Sequence, residues 1–238
     1  MEKNKTVRVQ DLGQMPYKSC WTYQEALFQG IIDQKRANRN TEVEQQTQNY
    51  LLFVEHPPVF TLGKSGDMAH LLLDAAKLEK EGIEFYKSNR GGDITYHGPG
   101  QIVGYPILDL DHFFTDIHRY LRTLEEVMIA VLAEYEIKAT RSPGETGVWL
   151  DVGTPFARKI CALGVRASRW VTMHGFALNV NTHLPYFDYI VPCGIQGKGV
   201  TSLEKELGRQ VPIEEVQGII LHYFSRQFDA TLLTDPID

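Results

Sequence analysis

The sequence predicts an α+β fold, a single domain in which helices flank a mixed, largely antiparallel sheet. Strand-like segments follow one another in runs, and amphipathic helical segments lie between those runs. The chain has 238 residues, enough to bury one sizeable core, and no internal repeat or linker divides residues 1–238. We therefore expect one domain.

Helical and extended segments alternate in the first half of the chain. Apolar side chains recur at helical spacing before the Gln-rich residues 41–49, which we interpret as a peripheral polar loop or a helix extension. The predicted elements are a helix over 21–39, a strand over 50–54, extended structure over 59–62 and a short surface helix over 74–81.

The second half contains the clearest helix, over residues 116–135. Its apolar residues form one stripe, and Asp116 can place a favourable negative charge at its start. Three strands separated by short polar breaks then predict an antiparallel meander, and Pro212 suits the first turn of a closing amphipathic helix. These elements cover residues 147–151, 159–166, 173–180 and 212–228.

Composition and charge exclude several classes of protein. A net charge of -6 argues against a general nucleic-acid binder, which needs basic side chains to displace counterions. No secretory signal is visible, and no apolar run approaches the roughly 18 residues of a membrane span. We therefore expect a cytoplasmic protein that binds neither nucleic acid nor membrane.

The cysteines predict reduced thiols, because Cys20, Cys161 and Cys193 lie far apart and form no Cys-x-x-Cys pair. The eight histidines form no His-Glu-x-x-His motif and no close cluster with cysteine, so we expect no metal.

A glycine-rich segment at residues 90–105, RGGDITYHGPGQIVGY, is the strongest candidate for a site. Glycines cluster where backbone approaches a ligand closely, but they are also common in plain hairpins. A phosphate-binding loop is disfavoured because no Gly-Lys-Ser/Thr follows. The polar side chains among the glycines favour a substrate cradle, with Thr95, Tyr96 and His97 as its wall.

This segment resembles the signature of the lipoyl(octanoyl) transferase family of lipoate biosynthesis. The resemblance covers most of residues 50–205 and implies the catalytic fold of the biotin and lipoate protein ligases. It extends to LLFVEHPPVFTLG at 51–63, RKICALGVR at 158–166, HGFALNVN at 174–181 and IVPCGI at 190–195.

The resemblance also selects the catalytic pair. Cys193, between Pro192 and Gly194, suits a nucleophile on a tight loop, although a single cysteine is often only a small core residue. Cys161 lies in an apolar strand segment and is most simply explained by packing. Lys159 begins that segment and could be a strand-end lysine with its head in water. The resemblance maps Cys193 onto the family's acyl-carrying cysteine and Lys159 onto its lysine.

The implied reaction is transfer of an octanoyl group from octanoyl acyl carrier protein, through a Cys193 thioester, to a lysine amine. The acceptors are lipoyl domains of 2-oxoacid dehydrogenase complexes and the glycine cleavage H protein. We expect a monomer without a cofactor.

The resemblance places the acyl site in three stretches. His97 and His174 could orient the carbonyl or nearby loops, or be hydrogen-bonded core residues. The acyl-binding residues are expected to be Arg90, Gly91, Gly92, Asp93, Ile94, Thr95, Tyr96, His97, Ala162, Leu163, Gly164, Gly175, Phe176 and Ala177.

Other functions stay open at this point. A lipoate–protein ligase shares the fold but uses ATP, an amidotransferase of the same fold carries its nucleophile on another loop, and a carrier-protein binder would have an inert cysteine. An acidic carrier protein would need a local basic rim on this acidic chain, for which Lys64, Arg90, Arg158 and Lys198 are candidates.

Overall fold

The protein, described by a computed structural model over residues 3–191 and 199–234, is built on one large mixed sheet and one small sheet. The helices are α1 (Tyr17–Asn38), α2 (Ala75–Lys80), α3 (Ile117–Ala133), α4 (Leu203–Leu207) and α5 (Ile213–Phe228). The strands are β1 (Thr6–Gln14), β2 (Asn49–Glu55), β3 (Val59–Leu62), β4 (Glu84–Lys87), β5 (Ile94–His97), β6 (Gln101–Ile107), β7 (Val148–Leu150), β8 (Arg158–Ser168), β9 (Val171–Asn179), β10 (Gly199–Val200) and β11 (Thr231–Thr234).

Strand pairing confirms the predicted sheet. The large sheet has the order β10-β8-β9-β6-β2-β1-β11, and β7 also pairs with β8. The predicted meander is present, because β7 pairs antiparallel with β8 and β8 pairs antiparallel with β9. The pairs of β1 with β2 and β11, and of β8 with β10, are parallel. In the small sheet, β3 lies between β4 and β5.

The large sheet is covered on both faces. Leu51 and Phe53 of β2 pack with α3 and α5, while the alternate residues Leu52 and Val54 pack with α1. This division follows from the two-residue period of a strand. A third apolar cluster joins the small sheet to a 3₁₀ helix at Leu184–Tyr189.

The predicted long helices are confirmed with small changes at their ends. Asp116 is the N-cap of α3, and its carboxylate accepts a hydrogen bond from the Arg119 amide at 2.9 Å. Pro212 precedes α5 as its N-cap residue. None of the helices described is long and apolar enough to cross a membrane.

Helix α1 begins at Tyr17, four residues before the predicted start. Its buried face continues through Tyr17, Cys20 and Gln24. The polar Gln24 interrupts the apolar pattern in the sequence, although its side chain is fully buried and accepts a hydrogen bond from the His174 amide at 3.0 Å.

The polar segment 41–49 does not extend this helix, which ends at Asn38. Residues 41–46 are exposed, but Thr47 and Asn49 are buried. The Thr47 hydroxyl donates to the Asp109 carboxylate at 2.8 Å, and the Asn49 amide donates to Asn4 O and Thr6 O. The exposed part of the segment is a polar loop, as predicted, while its last residue, Asn49, begins β2.

The sequence analysis missed several strands, and β6 shows why. This central strand is buried along its whole length, yet it contains Gly104 and Pro106, which are uncommon inside strands. A side chain at Gly104 would meet the ring of Phe176 on β9, with a Cβ only 2.0 Å from the ring. The missing side chain lets Phe176 pack flat across the neighbouring strand.

Candidate active site

A cavity of about 690 Å³ brings together the three stretches that the sequence analysis selected. Its size lies in the usual range for small-molecule sites. The glycine-rich segment forms one part of its lining, and β6, β8 and β9 form another. The predicted residues that line it are Lys159, Arg90, Gly91, Gly92, Asp93, Ile94, Thr95, His97, Ala162, Leu163, Gly164, Gly175, Phe176 and Ala177.

Tyr96 departs from this set and corrects the prediction. It does not line the cavity; its ring stacks on Tyr186 at 4.8 Å and packs edge-on against Phe187 at 5.5 Å. Tyr96 packs in the apolar core of the small sheet, whereas Ile94, Thr95 and His97 of the same strand line the cavity.

Close backbone approach explains the glycines of this wall. A Cβ at Gly63 would lie 2.2 Å from the carbonyl oxygen of Gly92, and one at Gly164 would lie 2.8 Å from that of Gly91. The Gly91 amide also donates to Val165 O at 2.9 Å. The glycine-rich segment is therefore joined directly to the backbone of β8.

Arg90 holds the glycine-rich segment from within. Its side chain is only 8% exposed. Nη2 donates to Thr61 O at 2.6 Å and to Asp93 O at 2.8 Å, and Nη1 donates to Gly91 O at 3.0 Å. Arg90 therefore shapes the cavity wall, and a direct polar contact between Arg90 and a ligand stays a prediction.

Lys159 lies at the start of β8, beside the cavity and half-buried. Its Nζ is 4.6 Å from the centre of the Trp149 ring. A β-bulge follows, because Trp149 pairs with Lys159 while Val148 pairs with Cys161, which leaves Ile160 as an extra residue. The two-residue alternation of a regular strand is therefore broken at Ile160, which packs in the same cluster as Cys161.

The predicted nucleophile, Cys193, lies outside the described residues, as do Pro192, Gly194 and Lys198. The Val191 amide donates to His70 O at 2.8 Å, and the His70 Nδ1 lies 2.6 Å from the carboxylate of Asp93, a cavity residue. After residue 198, Gly199 and Val200 pair with Arg158 and Lys159. In the sequence, Cys193 therefore lies between Val191, which is hydrogen-bonded to His70, and β10, which pairs with the start of β8.

The other two cysteines are core residues. Cys161 is fully buried in the main apolar cluster, as predicted, and burial raises the pKa of its thiol. Burial raises the pKa of the Cys20 thiol to about 12. Both thiols are therefore protonated at neutral pH, which makes them poor nucleophiles.

His97 and His174 both line the cavity as buried, hydrogen-bonded side chains. His97 Nδ1 is 2.8 Å from Gln101 Oε1, and His174 Nε2 is 2.7 Å from Asn89 Oδ1. Burial lowers the pKa of each imidazole to about 3. His174 also has a φ of 58°, the left-handed region that is rare within a strand.

Sequence reasoning missed part of the lining. Tyr17 and Tyr105 contribute aromatic walls, and residues 144–146 form a loop beside Lys159 and Trp149. Tyr17 and Tyr105 lie outside the residues that were expected to bind the acyl group, and no sequence motif marks Trp149 as a site residue. Its position opposite Lys159 becomes visible only when the strand register is known.

The proposed basic rim is smaller than the sequence suggested. Arg158 Nη2 pairs with Glu206 at 2.6 Å, and Nη1 bonds to Asp151. Arg90 is buried within the glycine-rich segment, and Lys198 lies outside the described residues. Lys64 is the candidate that is both described and exposed. Among the described residues, no three His, Cys, Asp or Glu side chains are grouped as a metal site.

Comparison with known proteins gives a consistent result. Residues 16–225 match the sequence model of the lipoyl protein ligase A/B catalytic domain. An octanoyltransferase of Flavobacterium psychrophilum is 67% identical over 231 residues, which cover 97% of this chain and 100% of that protein. An octanoyltransferase of Flavobacterium johnsoniae is 66% identical over 231 residues, with the same coverage of both chains.

The fold is shared with solved structures. A bipartite lipoate protein ligase from Thermoplasma acidophilum superposes with a TM-score of 0.68, covering 100% of this chain and 88% of that chain, at 19% sequence identity. At this identity the likeness concerns the fold alone. It confirms the predicted lipoate-ligase type of α+β domain.

Proposed function

The chain belongs to the family of lipoyl protein ligase A/B catalytic domains, and on that premise we propose that it is an octanoyltransferase of protein lipoylation. The observation that carries this proposal is the identity of 67% over 97% of the chain to a protein named octanoyltransferase. The cavity supports it, because predicted acyl-binding stretches from distant parts of the sequence line one space beside Lys159.

The donor in this proposal is octanoyl acyl carrier protein. The thiolate of Cys193 attacks the thioester carbonyl, the bond to the carrier sulfur breaks, and the octanoyl group becomes a Cys193 thioester. The carrier sulfur leaves as a thiol after it takes a proton. Lys159, in its neutral form, accepts the Cys193 proton and, as an ammonium, returns one to the leaving sulfur.

The acceptors in this proposal are lysine amines of lipoyl domains in 2-oxoacid dehydrogenase complexes and of the glycine cleavage H protein. The amine attacks the Cys193 thioester, the carbon–sulfur bond breaks, and an amide forms while the thiol of Cys193 is released. Exchange of a thioester for an amide is downhill, so the reaction needs neither ATP nor a cofactor.

The cavity has the properties that an acyl group requires. Small residues on the neighbouring strands β8 and β9 leave room for a hydrocarbon chain. They are Ala162, Gly164, Gly175 and Ala177. Each buried methylene stabilises the bound acyl group by about 0.8 kcal/mol. A free Cys193 thiol also requires a reducing compartment, for which we propose the cytoplasm.

We test the function by mixing the protein with octanoyl carrier protein and a lipoyl domain in the absence of ATP. The expected result is a lipoyl domain heavier by one octanoyl group, and replacement of its acceptor lysine should abolish the gain. Lys159→Met should lower the rate by roughly 10²- to 10⁴-fold, the usual contribution of a general acid–base. Lys80→Met, at an exposed lysine of α2, is the matched control and should retain the rate.

Two outcomes would contradict the proposal. A requirement for ATP and free fatty acid would indicate ligase activity. Preference for an octanoyl group already bound to another lipoyl domain would indicate an amidotransferase.

A further inference from the structure

The side chain of Lys159 is contacted by an aromatic ring that the proposed chemistry does not use. Trp149 is 2% exposed and lies directly opposite Lys159 in the pairing of β7 with β8. The Lys159 Nζ is 4.6 Å from the ring centre. The face of an indole ring is electronegative and attracts an ammonium group at this distance.

The β-bulge at Ile160 produces this pairing. If the ladder ran on regularly from the pair of Val148 with Cys161, Lys159 would lie opposite Leu150. The extra residue shifts the register by one position, so Trp149 faces Lys159 and Leu150 faces Arg158. Bulges next to active sites commonly redirect a side chain in this way.

The backbone at Gly147 lies close to the methylene chain of Lys159, and the missing side chain of this glycine leaves room for that chain. Gly147 has a φ of 122°, and a Cβ there would lie 3.3 Å from Lys159 Cε and 2.7 Å from Cys161 O. The Gly147 amide donates to Glu125 Oε1 at 3.0 Å. Glu125 is fully buried on α3, so this wall is attached to a rigid helix.

Glu125 is itself held firmly. Its Oε2 accepts hydrogen bonds from Arg122 at 2.7 Å and from Arg141 Nε at 3.0 Å. Charge-assisted bonds of this kind are strong and directional. The backbone at Gly147 and the indole ring of Trp149 therefore both restrict where the Lys159 side chain can lie.

We propose that Trp149 is a positioning residue that holds the Lys159 ammonium at the cavity for acyl transfer, while the Glu125–Gly147 contact fixes the wall behind its methylene chain. The inference rests on the proposed role of Lys159. Trp149 also lines the cavity, but it is only 2% exposed. Its main action in this proposal is through Lys159, so its loss should change the chemical steps more than substrate binding.

The kinetic test compares Trp149→Leu, which removes the aromatic face, with Trp149→Phe, which retains one. We expect Trp149→Leu to lower kcat by about 10- to 100-fold, since misplacing a reacting group by about 1 Å has effects of this size. The KM for carrier protein and for lipoyl domain should change less than about twofold. Trp149→Phe should recover most of kcat, because a phenyl ring also binds cations.

Trp170→Leu is the matched control. Trp170 is 42% exposed in the turn between β8 and β9, and it does not line the cavity. We expect this variant to keep the wild-type kcat. A kcat for Trp149→Leu equal to that of the control would overturn the inference, and so would a Trp149→Phe variant as impaired as Trp149→Leu.

The contact between Lys159 and the indole ring of Trp149 can also be measured in the wild-type protein. This measurement requires neither an activity assay nor a Trp149→Leu variant that folds. Lysines are labelled by reductive ¹³C-methylation, and the Lys159 signal is identified by its loss in Lys159→Arg. We expect the Lys159 methyl protons to be shifted upfield by the indole ring, and a Lys159 signal at the position of exposed lysines would overturn the inference. If this shift is present but no octanoyl group is transferred, the proposed function fails and the contact with Trp149 stands.

Discussion

At the scale of single residues, three buried histidines lie in or next to the cavity. His56 lies behind it, with Nδ1 2.7 Å from Met15 O and Nε2 2.8 Å from the Tyr105 hydroxyl, and His97 and His174 line it. Burial lowers the pKa of His56 to about 4 and that of the other two to about 3. All three are neutral near pH 7 and act as fixed hydrogen-bonding groups.

These shifts predict how stability depends on pH. The unfolded chain binds protons at each histidine below pH of about 6.5, whereas the folded protein does not until about pH 3 to 4. Stability is therefore fully present above the unfolded pKa and is lost as the pH falls below it. Each histidine should lower the free energy of unfolding by up to about 1.4 kcal/mol per pH unit in that interval.

Urea unfolding between pH 7.5 and 5 measures this dependence. His97→Gln should reduce the change in the free energy of unfolding between pH 7.5 and 5 by about the contribution of one histidine. His222→Gln, at an exposed histidine of α5, should leave that change as in the wild type. A wild-type protein equally stable at pH 7.5 and pH 5 would show that these histidines are not held neutral by the fold.

At the scale of elements, the small side chains of β8 and β9 set the room in the cavity. Ala162 pairs with Ala177, and both line the cavity. We expect Ala162→Leu to shorten the acyl chain that fits, shifting the preference from octanoyl towards hexanoyl carrier protein. The shift should be several-fold for each methylene excluded, because one methylene is worth about 0.8 kcal/mol.

Competition between hexanoyl and octanoyl carrier proteins measures this preference. Ala167→Leu is the control, since Ala167 lies on the same strand but is exposed. An unchanged preference in Ala162→Leu would mean that the acyl chain does not pass this residue.

The elements also show which features the sequence could predict. Helix α3 and the β7-β8-β9 meander were predictable because each has a regular apolar pattern and a clear boundary, such as Asp116. Strand β6 was missed because Gly104 and Pro106 argue against a strand locally, while pairing with β2 and β9 overrides that preference.

The site was predictable as a set of segments but not as a set of side chains. The glycine-rich segment does reach the cavity, yet Tyr96 does not line it, because its ring packs against Tyr186 and Phe187 in the core of the small sheet. The contact of Trp149 with Lys159 depends on the bulge at Ile160, and nothing in the local sequence marks a bulge there.

At the scale of the whole molecule, the fold gathers distant parts of the chain around one cavity. Asp93, which contacts His70, and Lys159 both line it. Before residues 192–198, Val191 donates a hydrogen bond to His70 O, and after them Gly199 pairs with Arg158. Cys193 is six residues before Gly199, the first residue of β10, and Val200 of that strand pairs with Lys159. Chain connectivity therefore limits how far Cys193 can lie from Lys159.

The central claim, that Cys193 carries the octanoyl group, is tested most directly by the intact mass of the protein after mixing with octanoyl carrier protein. We expect the wild type and Cys161→Ala to gain one octanoyl group that neutral hydroxylamine removes, and Cys193→Ser to gain no such thioester. A hydroxylamine-sensitive adduct on Cys193→Ser, or no adduct on the wild type, would contradict the claim.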